Sequence, residues 1–195
     1  MVYLGKRAIK MIYIENKRRK LERVKKQYPT ADILDLTSSS PYRYGQILSP
    51  FYPHGGIPIP FTPNVFATCV ESVWQGLKVF DSSDVDVSTF QNSSMHNIKR
   101  TTLKYGRILG HRNGIEGKEI LDYKSARMQI YLPTYKWMLE NISEVVSVIS
   151  KIKERSITHD IVFLDYNTNQ DIYNEKQPLS HAALVKMYIE GNYPI

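Results

Sequence analysis

Short apolar runs separated by polar turns fill the first part of the chain, and helical periodicities dominate the rest. MIYIE (11–15) is apolar and β-branched, which predicts a strand. Asn16 stands where a helix needs a cap and Pro29 where a helix must stop, so a helix ending near Tyr28 is predicted between them. ADILDLTS (31–38) alternates apolar and polar positions and predicts a second strand. Residues 1–40 therefore form a basic strand–helix–strand unit, expected to pack on the core of a main body spanning 41–195.

Residues 38–68 differ in kind. A serine run leads into SPFYPHGGIPIPFTP, where five of the ten prolines fall between Pro50 and Pro63. Proline fixes φ and removes a backbone donor, so regular structure is not expected there. Tyr42, Tyr44, Phe51, Tyr52 and Phe61 make it an ordered loop that packs on something or lines a pocket. Downstream, 69–80 predicts a helix, 84–94 a turn-rich connection, and 96–111 a helix ending near Gly110. A helix over 118–132 is expected to stop at Pro133. The clearest helix is 133–153, where Trp137, Met138, Ile142, Val145, Ile149 and Ile152 keep helical spacing. DIVFLDYN (160–167) reads as a buried strand, and 179–190 as a closing helix. The expected fold is α+β: a mainly helical single domain with a small sheet.

With 42% hydrophobic residues in 195, the chain closes a core without metal or disulfide staples. No apolar run approaches the ~20 residues that cross a bilayer, so no membrane partner is expected. MVYLGKRAIK lacks the apolar core and cleavage site of a secretory signal, and Cys69 is the only cysteine. A soluble, reduced, cytoplasmic protein is the expectation. The five histidines show no metal-ligand spacing, and no Walker A, GxGxxG or GxSxG motif is present. Neither metal nor cofactor is expected.

Charge changes the picture more than composition does. The formal net charge is +7, yet residues 1–28 alone hold ten basic residues against two acidic ones. The basic stretch 6–26 (Lys6, Arg7, Lys10, Lys17, Arg18, Arg19, Lys20, Arg23, Lys25 and Lys26) either tracks a nucleic-acid backbone or is a solvated helix face. Residues 87–115 carry Lys99, Arg100, Lys104, Arg107 and Arg112 with no acidic residue.

On a helix over 69–80, Glu71, Trp74, Gln75 and Lys78 fall at i, i+3, i+4 and i+7 and share one face. A carboxylate, an indole, an amide and an ammonium together make either an ordinary wet face or a site. The surrounding motifs bear on that choice. Leu48-Ser49-Pro50-Phe51-Tyr52-Pro53 resembles the "S-x-F-Y-P" opening of the NADAR (YbiA-like) family, and Val70-Glu71, Trp74-Gln75 and Lys78 resemble its "VEHYYQAxKF" helix. Lys99-Arg100 and Tyr105-Gly106-Arg107 are similar to its basic "AKxLGR" segment. Ile161–Leu164, with Asp165 and then Asp171, is similar to its "LVExSPxDxxWG" element. The resemblance spans roughly 45–190. It departs from the family where Trp74 replaces a Tyr or Phe and where Ile172-Tyr173 replaces the "WG".

The resemblance implies a YbiA-like fold for 41–195 and N-glycoside hydrolysis: cleavage of the ribose C1–N bond of an ADP-ribosyl group, a nucleotide or a modified base. Such cleavage builds positive charge on the ribose, which a carboxylate stabilises. Glu71 is the first candidate, with Asp171 and Asp165 as alternatives. Phe51, Tyr52 and Trp74 are candidates to stack on a base, with Gln75 beside them. Lys78, Lys99, Arg100 and Arg107 are candidates to hold phosphates. The alternative is a binding module that holds a nucleotide or nucleic acid without turnover. His54, His181 and Cys69 read as structural residues.

Overall fold

A computed structural model describes residues 10–195. Lys6 and Arg7 of the basic stretch lie outside the described residues. The elements run in the order β1 (Ile12–Asn16), α1 (Leu21–Gln27), β2 (Asp32–Asp35), α2 (Arg43–Leu48), β3 (Ile57–Pro58), β4 (Phe66–Ala67), α3 (Val70–Gly76) and β5 (Lys78–Phe80). They continue with α4 (Thr102–Tyr105), β6 (Ile108–Arg112), β7 (Ile120–Leu121), α5 (Tyr123–Ala126), α6 (Leu132–Asn141), α7 (Ser143–Arg155), β8 (Ile161–Asp165) and α8 (His181–Glu190). The chain is a single α+β domain with small sheets. Among the described residues no helix is long and apolar enough to cross a membrane.

The strand–helix–strand opening is built into the main body by its partner strand. β8 lies between β1 and β2, parallel to both, with Ile12 and Asp32 in register with Ile161. All five β8 residues are buried, as a strand covered on both faces requires. Val24 of α1 closes one face with Val162 and Leu164, while Ile12, Ile161 and Phe163 join the main core on the other. Because the three strands are parallel, Asn16, Asp35 and Asp165 all end at the same edge.

That edge is held close to α2. A Cβ on Gly45 would lie 1.9 Å from the Asp35 carbonyl oxygen and 2.6 Å from Ser40 Oγ, so only glycine lets the helix approach. The proline-rich segment, expected to be irregular, carries this short helix and the antiparallel β3–β4 pair. Phe61 and Asn64 take positive φ in the connection between the two strands.

Four helix expectations are corrected. Helix 69–80 stops at Gly76, where the Phe90 ring occupies the space of a side chain, and Lys78 begins β5. The 96–111 segment keeps one helical turn, then Gly106 (φ +83°) turns the chain into β6, which pairs antiparallel with β5. Residues 120–121 are strand, and the following helix does not end at Pro133. It runs through a π-helical stretch, Arg127–Tyr131, into α6. At the end of the widened turn the Leu132 N–H donates to the Arg127 carbonyl, five positions back, and Thr134 Oγ1 donates to the Ile130 carbonyl at 2.6 Å. The long 133–153 helix bends at Ile142 (ψ 110°), so that α6 packs on α3 while α7 packs on α2 and α8.

Candidate functional site

A cavity of about 430 Å³ opens at the carboxyl edge of the parallel sheet. Its floor and walls bring together Thr37 and Ser38 after β2, Asp165 and Tyr166 at the end of β8, and Glu71, Trp74 and Gln75 of α3. Phe51, Lys78, Lys99, Arg100 and His181 complete much of the lining, with Tyr123, Arg127 and Tyr131 from the helix that carries the π stretch. The volume falls in the range of small-molecule sites, and the carboxyl edge of a parallel sheet is where ligands commonly bind.

Glu71 is 7% exposed. Cys69 caps α3, its Sγ accepting from Ser72 N while Ser72 Oγ accepts from Cys69 N, and this fixes the helical turn that carries Glu71. Gln75 Nε2 donates to Glu71 Oε1 at 2.8 Å, and Lys78 Nζ donates to Gln75 Oε1 at 2.9 Å. Burial pushes the Glu71 carboxyl above the ordinary range, against the pull of Gln75, Lys78 and Lys99. Burial also brings Lys78 down to about 8, with the Arg100 and Lys99 charges adding to it and Glu71 opposing. Lys78 thus meets Gln75 from a neighbouring strand, not from the same helix face.

Arg100 lines the cavity, but its guanidinium is engaged elsewhere. Nη1 donates to the Gln75 and Lys78 carbonyls and Nη2 to Ser83 Oγ and the Asp84 carbonyl, between the rings of Phe80 and Tyr105. Arg127 likewise donates to the carbonyls of Ile172, Asn174 and Gln177 and to Tyr123 Oη, strapping the 172–177 loop to the cavity wall. Lys99 is the exposed cation at the rim, its Nζ 5.5 Å from the centre of the Phe51 ring.

Asp165 is a clasp. Its Oδ2 accepts from Ser180 Oγ at 2.7 Å, lies 3.1 Å from His181 Nδ1 and meets the Ala182 N–H, and Oδ1 accepts from Tyr166 N. His181 Nε2 donates to the Leu36 carbonyl at 2.7 Å, so both ring nitrogens face acceptors and the ring is held as imidazolium. Burial alone would raise the Asp165 carboxyl, yet the charge and hydrogen bond of His181 hold it down to about 2. Burial works against the His181 proton, but Asp165 prevails and raises its pKa. With both Asp165 oxygens engaged, Glu71 is the cavity carboxylate with an oxygen, Oε2, outside these hydrogen bonds.

Trp74 forms an aromatic wall with Tyr123 and Tyr131, their rings edge-on at 5.9 and 5.6 Å. Behind it lies His111, with ring centres 3.7 Å apart. His111 is 1% exposed, burial brings it down to about 3, and neither ring nitrogen has a hydrogen-bond partner.

Three predicted site residues stand outside the cavity. Asp171 is exposed and accepts from Tyr173 N in a turn. Arg107 is exposed and pairs with Asp81 at 3.6 Å. Tyr52 meets His54 with tilted rings 4.8 Å apart, and His54 Nε2 donates to the Ile47 carbonyl. Tyr123, Arg127, Tyr131 and His181 are among the lining residues that sequence reading did not place in a site. Ser38, in the serine run, and Tyr166, next to Asp165, also line the cavity. Among the described residues no group of three His, Cys, Asp or Glu side chains is placed to hold a metal.

These features define an α+β domain with an aromatic-walled, carboxylate-bearing cavity at the edge of a parallel sheet. Residues 16–185 match a family of unknown function, DUF6939, and the chain belongs to that family. The match begins at the last residue of β1 and takes in α1, β2 and β8, so it covers the basic helix together with the residues that line the cavity. No curated protein and no solved structure matches the chain.

Proposed function

We propose that the cavity hydrolyses an N-glycosidic bond, cleaving ribose C1–N in an ADP-ribosyl group, a nucleotide or a modified base. The observation that carries this reading is the buried Glu71 carboxylate, tethered at one oxygen, in a cavity that also offers aromatic faces and ammonium groups. The NADAR-like order of the Phe51, Glu71–Lys78 and Lys99-Arg100 motifs supports it from the sequence side.

As C1–N breaks, the bond electrons leave with the nitrogen and positive charge develops on the ribose. The Glu71 carboxylate stabilises that charge and orients a water, which adds at C1 and passes a proton toward the leaving nitrogen. Trp74, Tyr131 and Phe51 supply faces for the base, and Lys78 and Lys99 supply charge for a phosphate. Arg100, engaged with carbonyl groups, shapes this wall by holding Gln75 and Lys78.

Product analysis tests the reading. Purified protein incubated with ADP-ribosylated nucleic acid, ADP-ribose, NAD and a nucleotide panel is expected to release free base or ADP-ribose from at least one member. Binding without release throughout the panel would favour a nucleotide-holding module instead.

One observation favours nucleic acid as the larger ligand. Arg18 lies 5.7 Å from the ring of Tyr166, a cavity residue, so the basic segment borders the mouth. Lys17 is paired with Asp35 and Arg19 with Glu15, whereas Lys20, Arg23, Lys25 and Lys26 are exposed on or beside α1. Neutralising these four is expected to lower the slope of log affinity against log salt by about 3.6, since each phosphate contact contributes about 0.9. An unaltered slope would mark them as a solvated face.

A further inference from the structure

Gln75 differs from every other polar residue of the cavity in standing between two opposite charges. Its Nε2 donates to Glu71 Oε1, and its Oε1 accepts both Lys78 Nζ at 2.9 Å and the Arg100 backbone N–H at 3.0 Å. Two donors on Oε1 fix which way the amide points, because a flipped amide would set NH₂ against an ammonium and an N–H. Arg100 is in turn anchored by its guanidinium on the Gln75, Lys78 and Asp84 carbonyls, so the peptide that orients the amide is itself fixed. Gln75 is 4% exposed, and the hydrogen bonds of both its amide atoms stay within the wall.

We propose that Gln75 is a positioning residue that separates Glu71 from Lys78, keeping the two charged groups from closing into a direct ion pair. This rests on the reading of Glu71 as the carboxylate that meets the reacting sugar, and it moves Gln75 from the substrate contacts to the wall that arranges them. In a buried wall, unlike charges pair strongly once nothing stands between them. Such a pair would occupy the Glu71 oxygens and the Lys78 N–H groups. The interposed amide instead satisfies one Glu71 oxygen and one Lys78 proton, leaving Oε2 and the remaining N–H groups for a ligand. The charged groups acting on Lys78 are Glu71 from α3 and Lys99 and Arg100 from the segment before α4, while His111 on β6 is neutral.

The test reads Lys78 directly and needs no substrate. Folded full-length protein is pulse-acetylated with acetic anhydride across pH, and modification of Lys78 is followed by peptide mass spectrometry. In wild type the midpoint is expected near 8. In Gln75→Leu, closure of the Glu71–Lys78 pair is expected to raise it by a unit or more, so that labelling at pH 8 falls about fivefold. If Gln75 only fills space, leucine deepens the desolvation of Lys78 and the midpoint stays or falls, which overturns the proposal. Gln75→Met, unbranched and adaptable, gives the same reading should the leucine variant fail to fold. A raised midpoint with no base release by wild type would keep the positioning role and remove the hydrolase reading.

Discussion

Glu71→Ala is expected to slow base release by about three orders of magnitude, the scale of losing a preorganised electrostatic group from a transition state. Ligand binding should change little, because the charge that Glu71 meets develops only as C1–N breaks. Single-turnover release and equilibrium binding, measured on the same preparation, separate the two effects. Removing a carboxylate that burial disfavours offsets part of the cost of leaving the buried Gln75 Nε2 without its acceptor, so the variant is expected to fold. Wild-type release from a variant that folds would remove Glu71 from the reaction. The pH profile carries the same assignment. Rate should fall on the acid side as pH drops through the raised Glu71 value and the carboxylate takes up a proton. It should fall on the alkaline side near 8, where Lys78 loses its charge.

Asp165→Asn is the substitution with the largest expected cost in stability. It leaves the buried His181 imidazolium facing an amide, and breaking one partner of a buried pair costs about 3–5 kcal/mol. For a domain of this size that corresponds to a fall in Tm of about 10 °C. The clasp also links three distant pieces of chain: the end of β2 through the Leu36 carbonyl, the end of β8, and the start of α8. The pH dependence has two limbs. Asp165 contributes fully above the ordinary carboxyl value of about 4 and loses its contribution as pH falls through its folded value of about 2. His181 contributes fully below about 6.5 and loses its contribution as pH rises through its raised folded value. Melts of wild type, Asp165→Asn, His181→Leu and the double variant should therefore show strong coupling near neutral pH and weaker coupling at both extremes. Simple additivity at neutral pH would mean that the two side chains act independently.

Eight of the residues singled out in the sequence line one cavity, though not always by the route their spacing suggests. Glu71, Trp74 and Gln75 share a helical face as their spacing says, and their grouping with Phe51 and Lys99 follows in the cavity. Lys78 arrived by another route. It begins β5 after the helix has ended against Phe90, yet its Nζ still reaches Gln75. His181, expected to be structural, reaches Leu36 across 145 positions of sequence and pairs with Asp165. Arg100 and Arg127 show the converse. Their charge suggests phosphate binding, but carbonyl groups of other segments take up their donors. No spacing rule exposes such partners, because free carbonyls are made by loops whose paths only the fold sets.

The amino-acid sequence by itself determined the local elements whose cause is local. Apolar β-branched runs became β1, β2 and β8, and the spacing from Trp137 to Ile152 made helices that pack inward. Pro29 follows the end of the basic helix as expected, whereas Asn16 ends β1 and the helix starts only at Leu21, with Lys20 in the cap position. Tertiary structure decided what depends on pairing at long range. It inserted β8 between strands that lie about 150 and about 130 positions earlier, turned Ile108–Arg112 from an expected helix into a strand beside β5, and bent the long helix at Ile142. It also decided the electrostatics of the site. The displaced pKa values of Glu71, Lys78, Asp165 and His181 arise from burial and from charges brought close by folding, and neither exists in the unfolded chain.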